Sequence, residues 1–113
     1  MLVNKSKNND NAILEKLQKI KGQEGIIGYI LRDPKSASID LKDPTKIIEY
    51  AVLSSTAFDV SRNMSETLQM GEVDNIVVES KETKLLSMNV NTHCLCIFMK
   101  KDVDHDKLYK NLK

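Results

Sequence analysis

The longest stretch of patterned apolar residues runs from Pro44 to Met70 and predicts one amphipathic helix. Asp43 is placed to cap its first turn, Pro44 fits the first helical position, and Gly71 stands where such a helix ends. At about 100° per residue, its apolar and small side chains cover far more than the roughly 100° stripe that a helix on one sheet requires. The helix therefore needs two surfaces to cover it: its own sheet and, we infer, a partner.

The wide face of this helix has a centre and two flanks. Its centre contains Ile47, Tyr50, Ala51, Ser54, Ala57, Phe58, Ser61, Met64, Ser65 and Leu68. Ile48 and Val52 lie on one flank, and Leu53 and Val60 lie on the other. We assign Ile47, Ala51, Ser54 and Phe58 to the core. We predict partner contacts for Ile48, Val52, Leu53, Val60 and Met64, with the core of one copy as the alternative. The pattern leaves open which flank faces the partner.

Five shorter stretches have the alternation or the continuous apolar run that is typical of β-strands. They are Ile26–Leu31, Ala37–Leu41, Val73–Glu79, Lys84–Val90 and Thr92–Met99. Ile13, Leu17 and Ile20 recur at helical spacing before the first strand, and Asp104 is placed to cap a short final helix. The order α-β-β-α-β-β-β-α predicts an α+β fold with one five-stranded, mainly antiparallel sheet. The long helix is expected on one face and the terminal helices on the other.

Length and composition indicate one domain and exclude several classes of partner. Residues 1–9 are rich in Asn, Lys and Ser and are expected to form a flexible tail, which leaves residues 10–113 as the domain. The net charge of +1 comes from interspersed acidic and basic residues, and only 4% of residues are aromatic. This composition argues against a nucleic-acid partner. Because no apolar run approaches about 20 residues, we expect no membrane insertion and a cytoplasmic protein.

The residues that could carry chemistry do not form a convincing site. On a strand, Cys94 and Cys96 point to one face and His93 to the other, so we interpret the cysteines as small core residues. The glycines at 22, 25 and 28 follow a helix and precede a strand, the reverse of a dinucleotide-binding loop. We expect Gly28 to allow the close approach of a helix instead. The sequence predicts no catalytic residue, no metal site and no cofactor, and therefore no enzyme.

A series of short motifs resembles a known family. The motifs are Lys21-Gly22-x-x-Gly25-Ile26-Ile27, Asp43-Pro44-Thr45, Tyr50-Ala51-x-Leu53, Phe58, Arg62, Gly71 and Ile76-Val77-Val78. In order and spacing they are similar to the roadblock domain of dynein light chains and of bacterial and archaeal regulators of small Ras-like GTPases. The similarity covers roughly residues 11–101.

The resemblance implies a non-catalytic homodimer in which the long helices lie side by side and the third strands pair into one continuous sheet. The strand residues Ile76, Val77 and Val78 then join the predicted interface. This pairing gives a partner to a strand edge that is otherwise exposed. The resemblance also implies that the dimer is a scaffold for a small Ras-like GTPase, or for a motor or membrane-tethered complex.

Two other classes of function remain open. A profilin-like or PAS-like small-molecule sensor would show a pocket lined by Tyr29, Phe58, Cys94 and Cys96, whereas a solid core there would count against it. An enzyme would show titratable groups that converge in a cleft.

Overall fold

A computed structural model describes residues 5–33, 36–69, 71, 73–90 and 93–112. The elements are α1 (Lys5–Lys21), β1 (Ile26–Arg32), β2 (Ala37–Leu41), a 3-10 turn (Pro44–Lys46), α2 (Ile47–Thr67), β3 (Asn75–Glu79), β4 (Thr83–Val90), β5 (His93–Lys100) and α3 (His105–Leu112). The strands form one sheet in the order β2-β1-β5-β4-β3, and every neighbouring pair is antiparallel. The predicted α+β architecture is confirmed.

Several boundaries differ from the sequence predictions. Helix α1 begins at Lys5, inside the segment expected to be a tail, and residues 1–4 lie outside the described residues. Helix α2 ends at Thr67, and Gln69 has a positive φ of 51°, so the chain leaves the helix before Gly71. The helix is therefore shorter than predicted, although Met70 itself is outside the described residues. Strand β3 begins at Asn75, two residues later than predicted.

Both predicted caps are present. The Asp43 carboxylate accepts hydrogen bonds from the backbone N–H and the hydroxyl of Thr45, at 3.1 and 2.6 Å. Asp43 is followed by the 3-10 turn Pro44–Lys46, and α2 begins directly after this turn, at Ile47. At the other end of the chain, Asp104 Oδ1 accepts from the backbone N–H of Lys107 at 3.2 Å, which caps α3. These bonds satisfy N–H groups that a helix start otherwise leaves without a partner.

The sheet separates two apolar layers. Helices α1 and α3 cover one face, where Leu17, Leu86, Ile97 and Met99 have no exposed surface. Helix α2 covers the other face, where Ala57 packs with a smaller set of strand residues. That set is Ile30, Leu41, Leu85, Cys96 and Phe98. The alternation of side chains along each strand assigns residues to these layers. None of the described helices is long and apolar enough to cross a lipid bilayer.

Gly28 marks a close approach between two strands. It pairs with Leu41 of β2, and a β-carbon added at Gly28 would lie 2.3 Å from the carbonyl oxygen of Asp40. The expectation that a helix approaches this glycine was therefore wrong, since the approaching backbone belongs to β2.

A polar network joins α1 to the β1–β2 edge of the sheet. Lys21 Nζ donates to Asp40 Oδ1, while Gln18 Nε2 donates to Asp40 Oδ2 at 3.3 Å and to the Tyr29 hydroxyl at 3.0 Å. The hydrogen bond from Lys21 is the main cause that lowers the pKa of Asp40 below its ordinary value of 3.8.

Asp40→Asn is expected to lower the free energy of unfolding at pH 7 by up to about 1 kcal/mol. Because folding lowers the pKa of Asp40, its ionised form stabilises the fold at pH values above 3.8, and this contribution disappears as the pH falls through the folded pKa. We expect the wild type to unfold at a higher midpoint urea concentration than Asp40→Asn at pH 7. The difference between the two midpoints should disappear as the pH is lowered to 2. A difference that stays constant over this range would contradict the prediction.

Candidate interaction surface

Helix α2 rests on the sheet through small side chains. Ser54 and Ala57 are buried against the strands. One turn earlier, the ring of Tyr50 contacts the ring of Phe98 of β5, with centroids 4.4 Å apart and planes inclined by 53°. This geometry falls within the range of favourable aromatic pairs. The pair and the small residues hold the helix at a fixed height above the sheet.

The flank of α2 that faces β1 is polar. Arg32 Nη1 at the end of β1 donates to Ser55 Oγ at 2.8 Å. Two turns later, Arg62 lies on the same flank, where it pairs with Asp59 at 3.0 Å and stands 5.9 Å from the centre of the Phe58 ring. These charged and hydroxyl groups make the flank unsuited to an apolar contact from Ser55 to Arg62, although Ile48 at its N-terminal end is exposed and apolar.

The opposite flank of α2 faces β3 and is apolar. Leu53 lies about 200° around the helix from Ser55. It lines a notch of about 100 Å³ together with Val78 of β3. Val60 and Met64 continue this stripe at helical spacing. We call the combined patch the α2–β3 surface; it consists of Leu53, Val60, Met64, Ile76 and Val78. The structure thereby shows which flank of α2 carries apolar side chains next to the sheet edge, a point that the sequence left open.

The residues predicted to contact a partner occupy three different places. Ile48, Val52, Leu53 and Val60 are all exposed, by 44 to 78% of their surface. Leu53 and Val60 belong to the α2–β3 surface, and Val52 lies on the outer side of the helix. Ile48, two turns before Ser55, lies on the flank that faces β1. The Val77 side chain packs against the layer beneath α1 and α3, so only its backbone lies at the strand edge.

The core assignment along α2 is correct only in part. Ser54 is buried, and Ala51 and Phe58 are partly buried. Ile47 is exposed by 36%, contrary to the expectation. It is the first residue of α2 and directly follows the exposed 3-10 turn, so it lies at the end of the helix that packs least closely against the sheet.

Strand β3 borders the α2–β3 surface and forms one edge of the sheet. Within the described part of the sheet it pairs only with β4, through the register Val77↔Leu86. Its outer N–H and C=O groups therefore have no ladder partner in a single copy. An edge of this kind, next to exposed apolar side chains, is a template for a further strand.

A cavity of about 340 Å³ lies beneath α2 on its β1 side. We call it the α2 cavity; it is lined by Arg32, Asp33, Ser54, Phe58, Ser87, Cys94, Leu95 and Cys96. Three of the four residues expected for a sensor pocket, Phe58, Cys94 and Cys96, therefore meet there. Tyr29 does not, because its side chain belongs to the other layer and its hydroxyl accepts from Gln18 of α1.

The two cysteines contribute neutral thiols to this cavity. Burial raises the pKa of Cys94, and burial raises that of Cys96 to about 12. Both thiols are therefore protonated at neutral pH and are poor nucleophiles. Cys94 and Cys96 point to the same face of the sheet, as predicted, since both line the cavity. In the described ranges, no three His, Cys, Asp or Glu side chains are grouped so that they could hold a metal ion.

The fold is that of known roadblock domains. No family model matches the sequence, and no curated protein matches it. The structure is similar to a Roadblock/LC7 domain from Streptomyces avermitilis, with a TM-score of 0.65, 18% identity, and coverage of 88% of this chain and 83% of that one. For MglB of Myxococcus xanthus the TM-score is 0.69 at 11% identity, with coverage of 88% and 86%. For an MglB structure with a tetrameric arrangement it is 0.63 at 15% identity, with coverage of 89% and 81%. The resemblance inferred from the sequence motifs is thus confirmed at the level of the fold.

Proposed function

We propose that this chain, which has the roadblock fold, is a non-catalytic homodimeric adaptor that binds and regulates a small Ras-like GTPase. The α2–β3 surface is the observation that carries the proposal, because one copy leaves this apolar patch exposed beside an open strand edge. The tetrameric arrangement of an MglB structure supports self-association in proteins of this fold. The GTPase partner rests on the motif resemblance to regulators of such enzymes.

A two-fold contact would satisfy both features of the surface at once. In such a contact the same patch on each copy faces itself. The two β3 edges would pair as antiparallel strands, and the two α2 helices would pack side by side through Leu53 and Val60. Helix α2 has 21 residues and is therefore about 30 Å long. Two helices of this length and a strand pair offer room for the roughly 1,600 Å² that a standard interface buries.

The proposed adaptor would act through binding rather than through its own chemistry. The α2 cavity is lined by protonated thiols and by the hydroxyls of Ser54 and Ser87, and the Asp33 carboxylate beside them accepts hydrogen bonds from Ser36 of the β1–β2 turn. Any effect on GTP hydrolysis would then come from positioning groups of the GTPase itself. A motor or membrane-tethered complex is the other partner that the resemblance implies.

Sedimentation equilibrium at micromolar concentration tests the dimer. Two chains of 12.8 kDa give an expected mass of 2 × 12.8 = 25.6 kDa. A stable species of 12.8 kDa would end the proposal of a homodimer.

The GTPase partner is tested by binding. We expect the dimer to bind one or more small Ras-like GTPases from its own genome, with affinities for the GDP-loaded and GTP-analogue-loaded forms that differ by at least about tenfold. Biolayer interferometry on the immobilised chain measures this difference, and the chain alone should show no GTP hydrolysis. If none of the GTPases binds in either state, and affinity capture from native extract recovers a motor complex, the GTPase proposal is wrong.

A second candidate function is the small-molecule sensor. The α2 cavity favours it, since Phe58, Cys94 and Cys96 surround open space rather than a solid core. This candidate is compatible with a dimer, because the cavity opens on the β1 side of α2 and the α2–β3 surface lies on the other side.

A further inference from the structure

We infer that the α2 cavity binds a small monocarboxylate with an apolar body, and that the Arg32 guanidinium holds the carboxylate at its mouth. The inference rests on the cavity of one copy and does not depend on the proposed GTPase or on dimerisation. It assigns a ligand class to the sensor candidate.

The cavity exists because small side chains face one another across the gap between helix and sheet. Ser87 and Cys96 are directly paired on β4 and β5, and Ser54 of α2 reaches Cys96 with its hydroxyl, so the open space lies beside this contact, toward Cys94 and Arg32. The contact between the Tyr50 and Phe98 rings, one turn away, keeps the helix from approaching the sheet more closely at this point. The space therefore stays open, and most of the surface that lines it is apolar although hydroxyls and thiols border it. An apolar body that enters it loses contact with water, which provides the driving force for binding.

The mouth of the cavity carries a positive charge that is available to a ligand. Arg32 lies opposite Cys94 on the neighbouring strand, and its charge opposes the rise in the pKa of that thiol, which indicates a short separation. One of its donors is used by Ser55. A guanidinium has five N–H donors in a planar fork, so further donors remain for a carboxylate.

The acidic neighbour of Arg32, Asp33, also lines the cavity. The Asp33 carboxylate accepts from the backbone N–H of Ser36 at 2.7 Å and from the Ser36 hydroxyl at 3.2 Å. Both of its oxygens therefore accept from the turn between β1 and β2, and a cation at this position would compete with the Ser36 donors. An anionic head group next to Arg32 is favoured over a neutral or cationic one, because charge-assisted hydrogen bonds are the strongest that a site of this kind can make.

The volume limits the ligand to a small molecule. At about 340 Å³, the cavity lies at the lower end of the range of roughly 300–1,000 Å³ that is typical of ligand sites. A medium-chain fatty acid or a bicyclic aromatic acid has a suitable size, whereas a phospholipid is too large.

The test uses the full chain and three probes: sodium decanoate, sodium 1-naphthoate and decyltrimethylammonium. Isothermal titration calorimetry should detect binding of at least one of the two carboxylates, and the cation with the same chain as decanoate should bind at least about tenfold more weakly. The relative affinities of decanoate and naphthoate report whether the body is a chain or a ring. If neither carboxylate binds at millimolar concentration, the inference is wrong.

Two variants locate the binding site. Cys94→Phe should fill the cavity and abolish carboxylate binding, whereas the matched Cys94→Ala should bind as well as the wild type. Arg32→Met should weaken carboxylate binding by about tenfold or more and leave the cation unaffected. If Cys94→Phe fails to fold, Arg32→Met decides the question. Unchanged binding by a folded Cys94→Phe, or by Arg32→Met, would overturn the assignment.

Discussion

Replacement of Leu53 by Asp is expected to convert the proposed dimer into folded monomers. At the centre of an apolar interface the new carboxylate would be buried without a partner, which costs several kcal/mol. A loss of about 4 kcal/mol weakens association roughly a thousandfold. In one copy Leu53 is 47% exposed, so the same carboxylate reaches water and the fold persists. Val60→Asp, two turns later on the same flank, should act in the same way.

Sedimentation velocity and circular dichroism on the same samples separate dissociation from unfolding. Ile39→Asp is the matched control, because Ile39 is 40% exposed but lies on β2, at the other edge of the sheet. This control should remain dimeric. If Leu53→Asp sediments as the wild type does, the α2–β3 surface is not the interface. If Ile39→Asp alone dissociates, the partner binds the β2 edge instead.

Gly28→Ala is expected to lower the free energy of unfolding by about 3 kcal/mol or more. The added β-carbon would lie 2.3 Å from the Asp40 carbonyl oxygen and 2.8 Å from the α-carbon of Leu41. Both are backbone atoms of β2, so relief requires the two strands to separate and disrupts their pairing.

Urea unfolding measures this loss, and Gly22→Ala is the matched control. A β-carbon at Gly22 would meet the carbonyl oxygens of Lys19 and Gln18 at the ordinary distances of 3.5 and 3.9 Å. Its stability should stay within about 0.5 kcal/mol of the wild type. A Gly28→Ala variant as stable as this control would show that β1 and β2 tolerate a wider separation.

The sequence was sufficient for the elements and for the layer to which most side chains belong. Alternation along β5 correctly placed Cys94 and Cys96 on one face, because every second side chain of a strand points to the same side. Asp104 correctly indicated the start of α3, and Asp43 the start of the 3-10 turn that leads into α2, since a short carboxylate side chain bonds the free N–H groups there. These features are local, so the residues that determine them lie close together in the chain.

The ends of α2 were predicted less accurately, because more than one backbone conformation is compatible with the residues at each end. The cap at Asp43 is compatible with either a 3-10 or an α-helical first turn. At the other end, Gln69 adopts the left-handed conformation that the glycine two positions later was expected to supply. A glycine nearby indicates that a helix ends, but it does not determine at which residue.

The sequence by itself determined that this is an α+β chain with a helix too apolar for one sheet. Only the tertiary structure decided that the Leu53 flank faces the edge strand β3, that β2 rather than a helix approaches Gly28, and that Ser54, Ser87 and Cys96 leave a cavity. Periodicity sets the direction of a side chain relative to its own element. The distance between two elements depends instead on the combined size of the side chains that pack between them. Those side chains come from remote parts of the chain, so no local pattern of residues predicts this distance.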